Sequence, residues 1–195
     1  MSTTVFNSFT GPESITLEEA RDACSVLSAD DDVRLSACIP AARQTVQNFT
    51  NMLYGTQTGT IYYDGFPKTF SFELPWGNIT SISSVSYYDT AGTLQDLLIQ
   101  NPDWLQIDLN GLPHRIALGP SYGFWPLTKM YKLSAVSIGF AGGVVMPAPV
   151  KSAALLVLSH LFNNKDWVVG DSAPVVVPET VDLLLANYRL YKADA

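Results

Sequence analysis

Apolar residues fall at helical spacing near both ends of the chain and at alternate positions between them. The helical pattern covers roughly Thr16 to Tyr54 and returns from Pro149 to Tyr191, whereas from Thr58 the period is two. Thr16-Leu17-Glu18-Glu19 has the form of a capping box, with Leu17, Ala20, Cys24 and Leu27 on one face of the helix that follows. A second helix carries Leu35, Ile39, Ala42, Val46, Phe49 and Leu53 in one stripe, with Gly55 placed to end it and Pro40 placed to kink it or mark its effective start. Arg43, Gln44 and Gln47 lie off that stripe, which predicts solvent or a subunit contact for them.

Residues 1–15 read as an extended arm with Val5, Phe6 and Phe9 as isolated apolar anchors, docked on a neighbour or tucked locally. In the middle of the chain, Phe70 to Leu74 alternates, and Ile79 to Tyr88 is β-rich with Ile82 and Val85 expected inward around a local irregularity. Asp89 to Gly92 turns into an expected strand at Thr93–Ile99. Leu105, Ile107 and Leu109 alternate up to Asn110-Gly111, a hairpin signal, with return at Arg115–Leu118, and Ser134–Phe140 alternates again. Pro149 suits the first turn of a helix that is apolar on nearly all sides from Val150 to Phe162 and therefore expected to be buried. A last short helix opens at Pro178-Glu179, with Val181, Leu184, Leu185 and Tyr188 facing in.

The double switch of period predicts an α+β fold. Residues 1–57 supply an arm and the helical hairpin of a body, 58–146 an inserted antiparallel β domain of sandwich or barrel type, and 147–195 the helices that complete the body. A chain of 195 residues that is 47% hydrophobic can bury its core without a staple. Charged residues are only 15%, which points either to a surface covered by partner subunits or to one rich in neutral polar groups. The net charge of −7, with no basic run, argues against binding of a phosphate backbone. Asp30-Asp31-Asp32 reads as the first turn of a helix.

No group of residues has the spacing of a catalytic, metal or cofactor site, so all three are expected to be absent. Ser159 and His160 are adjacent on a helix and point about 100° apart, so they do not form a dyad, and a structural role is expected for His160. His114 stands in the hairpin without a companion. Asp103 and Asp108 flank Trp104, but their opposite parity on a strand would turn them to opposite faces. Trp76, Trp125 and Trp167 fall at loop positions that suit interface anchors or core lids. Gly142-Gly143 does not extend into a phosphate loop. Cys24 and Cys38 form no metal motif and are expected as reduced thiols, with a bridge between adjacent helices as the alternative. The first residues have neither a basic nor an apolar signal region, and the run Ala153–Leu158 is too short to span a bilayer, so folding in the cytoplasm is expected.

Taken in order, these segments resemble the head–tail connector (adaptor) proteins of long-tailed phages and prophages. The resemblance covers most of the chain. It rests on Leu17-Glu-Glu-Ala20, Ile39-Pro-Ala-Ala-Arg43, Val85-Ser-Tyr-Tyr-Asp89 with Gly92, Trp125-Pro126 and Val136-Ser-Ile-Gly-Phe-Ala-Gly142. The C-terminal part adds Pro149-Val-Lys151, His160, Phe162-Asn-Asn-Lys165, Pro178, Leu183-Leu184 and Tyr188-Arg189. Lys165-Asp166 stands where the family more usually has Arg-Glu, and Ala141-Gly142-Gly143 where an aromatic residue often follows the glycine.

The resemblance implies a virion structural protein at the head–tail junction, made in the cytoplasm of a bacterial host. It implies a homo-oligomeric ring, usually twelve-fold, docked on the portal protein and receiving a neck or tail completion protein. Genomic DNA would be passing cargo, with no catalytic residues, no cofactor and no membrane. The alternative from another class is a carbohydrate-binding or host-recognition module carried by the β region and its many Tyr and Trp residues.

Overall fold

The computed structural model describes residues 2–100, 102–120, 123–163 and 179–191. In chain order the elements begin with β1 (Ser2–Phe9), α1 (Leu17–Cys24), α2 (Asp32–Thr50), β2 (Gln57–Tyr63) and β3 (Ser71–Glu73). They continue with β4 (Ile79–Tyr88), β5 (Leu94–Asp96), α3 (Leu97–Gln100), β6 (Leu105–Asp108) and β7 (Arg115–Leu118). β8 (Val136–Gly142), α4 (Ala148–Asn163) and α5 (Glu179–Leu185) complete the order. The fold is α+β, as the switch of period predicts. Two compact units divide the chain. The segment ending at Gly11 joins Thr56–Val144 in a β unit, and Pro12–Gly55 joins Val145–Tyr191 in a helical unit.

Among the described residues, the β unit contains an antiparallel sheet of order β1-β2-β8-β4-β5 and a smaller one of order β3-β7-β6. The first residues are not an arm of the helical body. They form β1, an edge strand paired with β2 from Ser2↔Tyr63 to Phe9↔Gln57, because alternating Thr, Val and Phe suit a half-buried ladder. β2 lies between β1 and β8, and Gly59 lets the chains approach there. A Cβ at residue 59 would sit 2.6 Å from the Phe140 ring and 2.9 Å from the Val5 carbonyl. The irregularity in β4 is two register shifts, between Ile79 and Ser81 and between Ile82 and Ser84, which leave Val85 fully buried.

Two sequence expectations in the β unit change. The strand expected over Thr93–Ile99 ends at Asp96, whose Oδ1 accepts the Leu98 amide at 2.9 Å and turns the chain into α3. The hairpin at Asn110-Gly111 is present, with Asp108 opposite Arg115, but its loop runs over residues 109–114 and contains a cis Leu112–Pro113 bond.

In the helical unit the capping box forms as read. Thr16 Oγ1 accepts the Glu19 amide at 3.2 Å, and Glu19 Oε2 accepts the Thr16 amide at 2.9 Å. α1 then stops at Cys24 because Ser25 adopts the left-handed conformation, which carries Leu27 off the expected apolar face and fully into solvent. α2 starts well before Pro40, which is an internal residue rather than the start. The helix ends at Asn51 in the left-handed region, four residues short of Gly55.

Ala20, Leu35, Ala42, Val46, Val150, Ala153, Leu158 and Leu185 belong to one buried cluster drawn from α1, α2, α4 and α5. Of the three polar residues expected in solvent or at a subunit contact, Gln44 is exposed, but Arg43 and Gln47 lie inside this unit. Each is buried with a partner, Arg43 Nε donating to Glu13 at 3.0 Å and Gln47 Oε1 accepting the Tyr54 amide at 3.4 Å. α4 is not apolar on a fully buried surface either. It buries Val150, Ala153, Ala154, Val157, Leu158 and Phe162, and leaves Leu156 and Leu161 partly in solvent.

Candidate functional site

The groups that suggest chemistry are placed where they support structure. Ser159 Oγ accepts Asn163 Nδ2 at 3.3 Å. His160, next to it in the last turn of α4, is half-buried and not free. Burial pushes the Cys24 thiol up, away from the thiolate that nucleophilic chemistry needs, and Cys24 and Cys38 are both unbridged. Asp103 does not share a strand with Asp108. It lies in a 3-10 turn at Pro102–Trp104 and its carbonyl packs against Gly119, whereas Asp108 Oδ1 accepts the Asn110 amide at 3.0 Å. Both residues are exposed.

His114 is a buried structural residue. Its Nε2 accepts the Ile79 amide at 3.1 Å, and its carbonyl accepts the Leu74 amide at 2.8 Å, so one residue ties the hairpin loop to the end of β3 and the start of β4. Burial depresses the imidazole below its ordinary range, and the Gly111 carbonyl and the Asp108 charge pull the other way more weakly. Because Nε2 accepts the Ile79 amide, the ring proton is placed on Nδ1. Among the described residues no cluster of His, Cys, Asp or Glu has the arrangement of a metal site, and no helix is long and apolar enough to cross a membrane.

A shallow cleft of about 370 Å³ in the β unit is lined by Phe66, Phe70, Phe124, Trp125, Pro126 and Leu127, among others. Its floor is a stacked pair: the Phe66 and Trp125 rings lie 4.9 Å apart and nearly parallel. Trp125 is itself buried, with Nε1 donating to the Thr69 carbonyl at 2.8 Å, and Trp76 is likewise buried, donating to Thr4 Oγ1 at 2.9 Å. Of the two loop-like interpretations of these indoles, the core lid is the one realised. Trp167 lies outside the described residues.

The exposed features are surfaces rather than pockets. The connection between β7 and β8 presents Phe124, Leu127, Met130, Tyr131 and Leu133 to solvent, with Lys129 and Lys132 among them. It is held in place by a bridge between Asp89 and Thr128, the Lys129 amide donating to the Tyr88 carbonyl at 3.0 Å, and the Lys132 ammonium 4.0 Å from the Tyr88 ring centroid. In the helical unit the corner between α1 and α2 presents Leu27 and Val33 beside Asp30 and Asp31. That corner is pinned by an ion pair from Arg21 on α1 to Asp32, which lowers the Asp32 carboxyl, and by Ser28 Oγ accepting the Asp30 amide at 3.2 Å. Large apolar side chains held outward by a fixed backbone mark contact surfaces.

The described residues thus define an α+β protein with firmly presented surfaces and no assembled catalytic group. No protein-family model and no curated protein matches the chain. Among solved structures it is similar to a chain in the neck of an empty gene transfer agent particle computed with C6 symmetry, at 17% identity and a TM-score of 0.75, covering 99% of this chain and 97% of that one. It is similar at 17% identity and TM-score 0.74, with the same coverage, to a chain in the virion of a native gene transfer agent particle. A chain in the neck of the native particle computed with C12 symmetry matches at 16% identity and TM-score 0.67, over 97% of both chains. At these identities the likeness is one of fold, and it runs the length of the chain.

Proposed function

We propose that this chain is a structural protein of the neck of a phage-like particle, a head–tail connector that assembles as a homo-oligomeric ring. In this reading the ring docks on the portal, receives the next neck or tail protein, and leaves a channel through which DNA passes. The observation that carries it is the likeness in fold, over nearly the full length of both chains, to chains of gene transfer agent necks. The C6 and C12 symmetries used for those necks support a ring, and the order of segments along the sequence resembles the connector family independently of the fold. The acidic balance of −7 suits a conduit, since like charge keeps a passing duplex from adhering to the wall. The role requires no bond to be made or broken by the protein.

Negative-stain imaging of the purified chain, alone and mixed with its portal protein, tests the proposal. Closed rings that cap the portal are expected. A chain that stays monomeric in both preparations and leaves the portal bare would refute it.

A further inference from the structure

We infer that adjacent copies in the ring meet head to tail, the lysine-bearing loop between β7 and β8 of one copy seating on the acidic corner between α1 and α2 of the next. This rests on the ring reading above and adds the contact that would build it. A chain of net −7 repels its own copies unless the few available cations are brought onto carboxylates. Among the described residues Arg21, Arg43, Arg115 and Lys151 are engaged in ion pairs within the chain. Arg34 bonds the Phe162 carbonyl and lies over its ring, and Arg189 lies over Phe49 and Tyr191. Lys129, Lys132, whose ammonium lies over the Tyr88 ring, and Lys68, which lines the cleft beside Phe66, have no carboxylate among the described residues, and neither Asp30 nor Asp31 has a cation.

Val145, Ile99 and Leu183 are also strongly exposed, but the three most exposed large apolar side chains, Leu27, Tyr131 and Val33, lie in the same two places. Tyr131 and Leu133 are 98% and 78% exposed beside the lysines, and Leu27 and Val33 are 103% and 85% exposed beside the aspartates. Each patch therefore pairs outward apolar side chains with charges of one sign, and the signs are opposite. Burying the apolar groups supplies affinity, and the charges fix register and exclude a patch from meeting its own kind. Two different patches in contact make a heterologous interface, the type that closes into a ring of any number of copies, in contrast to a two-fold contact that stops at a dimer.

The geometry yields a mixing experiment. One variant carries Lys129→Glu with Lys132→Glu, the other Asp30→Lys with Asp31→Lys, and both are checked for wild-type ellipticity and melting temperature. Ring formation is read by mass photometry on the full chain, alone and with its portal. Each variant alone faces like charge with like and should assemble roughly a hundredfold more weakly or not at all. An equimolar mixture should regain rings, because alternating copies oppose Glu to Lys at one interface and Lys to Asp at the next. Rings formed by either variant as readily as by wild type would overturn the contact while leaving the ring reading intact. Folded variants that fail singly and stay unassembled when mixed would also overturn it. A wild-type chain that forms no ring with or without portal would remove both.

Discussion

Leu156 and Leu158 stand two residues apart on α4, about 200° around the helix, and the structure assigns them opposite fates. Leu158 is 0% exposed within the cluster that α1, α2 and α5 share with α4, whereas Leu156 is 41% exposed. Truncating a fully buried leucine to alanine removes its transfer free energy and leaves a cavity, so Leu158→Ala should cost about 3 kcal/mol. Leu156→Ala vacates a site already open to water, with no cavity to hold empty, and should cost about 1 kcal/mol or less. With a urea slope of about 2 kcal/mol per molar, the midpoints should fall by about 1.5 M and at most about 0.5 M. The assay is urea unfolding followed by far-UV ellipticity, at a concentration where the chain is monomeric. The sequence alone makes the two positions equivalent, each a leucine in an apolar run where an aspartate would be expected to abolish soluble expression. The structure separates them: Leu158→Asp should still be insoluble, and Leu156→Asp should fold. Equal midpoint shifts for the two alanine variants would refute the assigned orientation of α4.

Three further outcomes follow from residues already described. His114 stays neutral in the fold below its ordinary range, so beneath about pH 6.5 the unfolded chain gains a proton that the folded chain resists. Stability should therefore be level above that value and fall as pH drops through the window just beneath it. The slope should flatten in His114→Gln, and an unchanged slope in that variant would assign the titration elsewhere. Gly59→Ala forces a Cβ to within 2.6 Å of the Phe140 ring and should cost about 1–3 kcal/mol in thermal or urea unfolding; a neutral result would show that the β1–β2–β8 ladder can relax there. In a gel-shift assay at about 0.15 M salt the purified protein should not retard duplex DNA, and tight, salt-sensitive retardation would count against a passive conduit.

The elements most legible in the sequence are those decided by local chemistry. The Thr16–Glu19 capping box forms both of its reciprocal bonds, the apolar stripe from Leu35 to Val46 is buried, and the opposition of Asp108 to Arg115 follows the Asn110-Gly111 signal. Features set by long-range pairing are less legible. β1 has no property that distinguishes it from a free arm until β2 lies beside it, and Gln47 is buried because the Tyr54 amide, seven residues on, needs an acceptor. Leu27 shows how a single left-handed residue overrides periodicity: the spacing from Leu17 is sound, but Ser25 ends the helix before the stripe reaches it.

The candidate site was illegible for a related reason. A catalytic constellation is self-referential, because its members must meet within one chain and so leave traces in spacing and burial. A contact between copies has half of its partners on another molecule, and its residues therefore look misplaced when one chain is considered alone. Tyr131 and Leu133 in a loop braced by Tyr88 and Asp89, and Val33 in the first turn of a helix pinned by Arg21 and Asp32, are misplaced in this sense. The bracing matters more than the exposure. A mobile loop can fold an apolar side chain back onto its own surface, but a backbone fixed by these bonds holds it in water at a standing cost of up to about 1.5–3 kcal/mol for each large group. Association in the proposed contact would relieve that cost, with the lysines and aspartates beside the apolar groups selecting the surface. In a chain with 15% charged residues and a net charge of −7, where the described arginines are engaged internally, the proposed contact is the one that would set remaining lysines against unpaired aspartates.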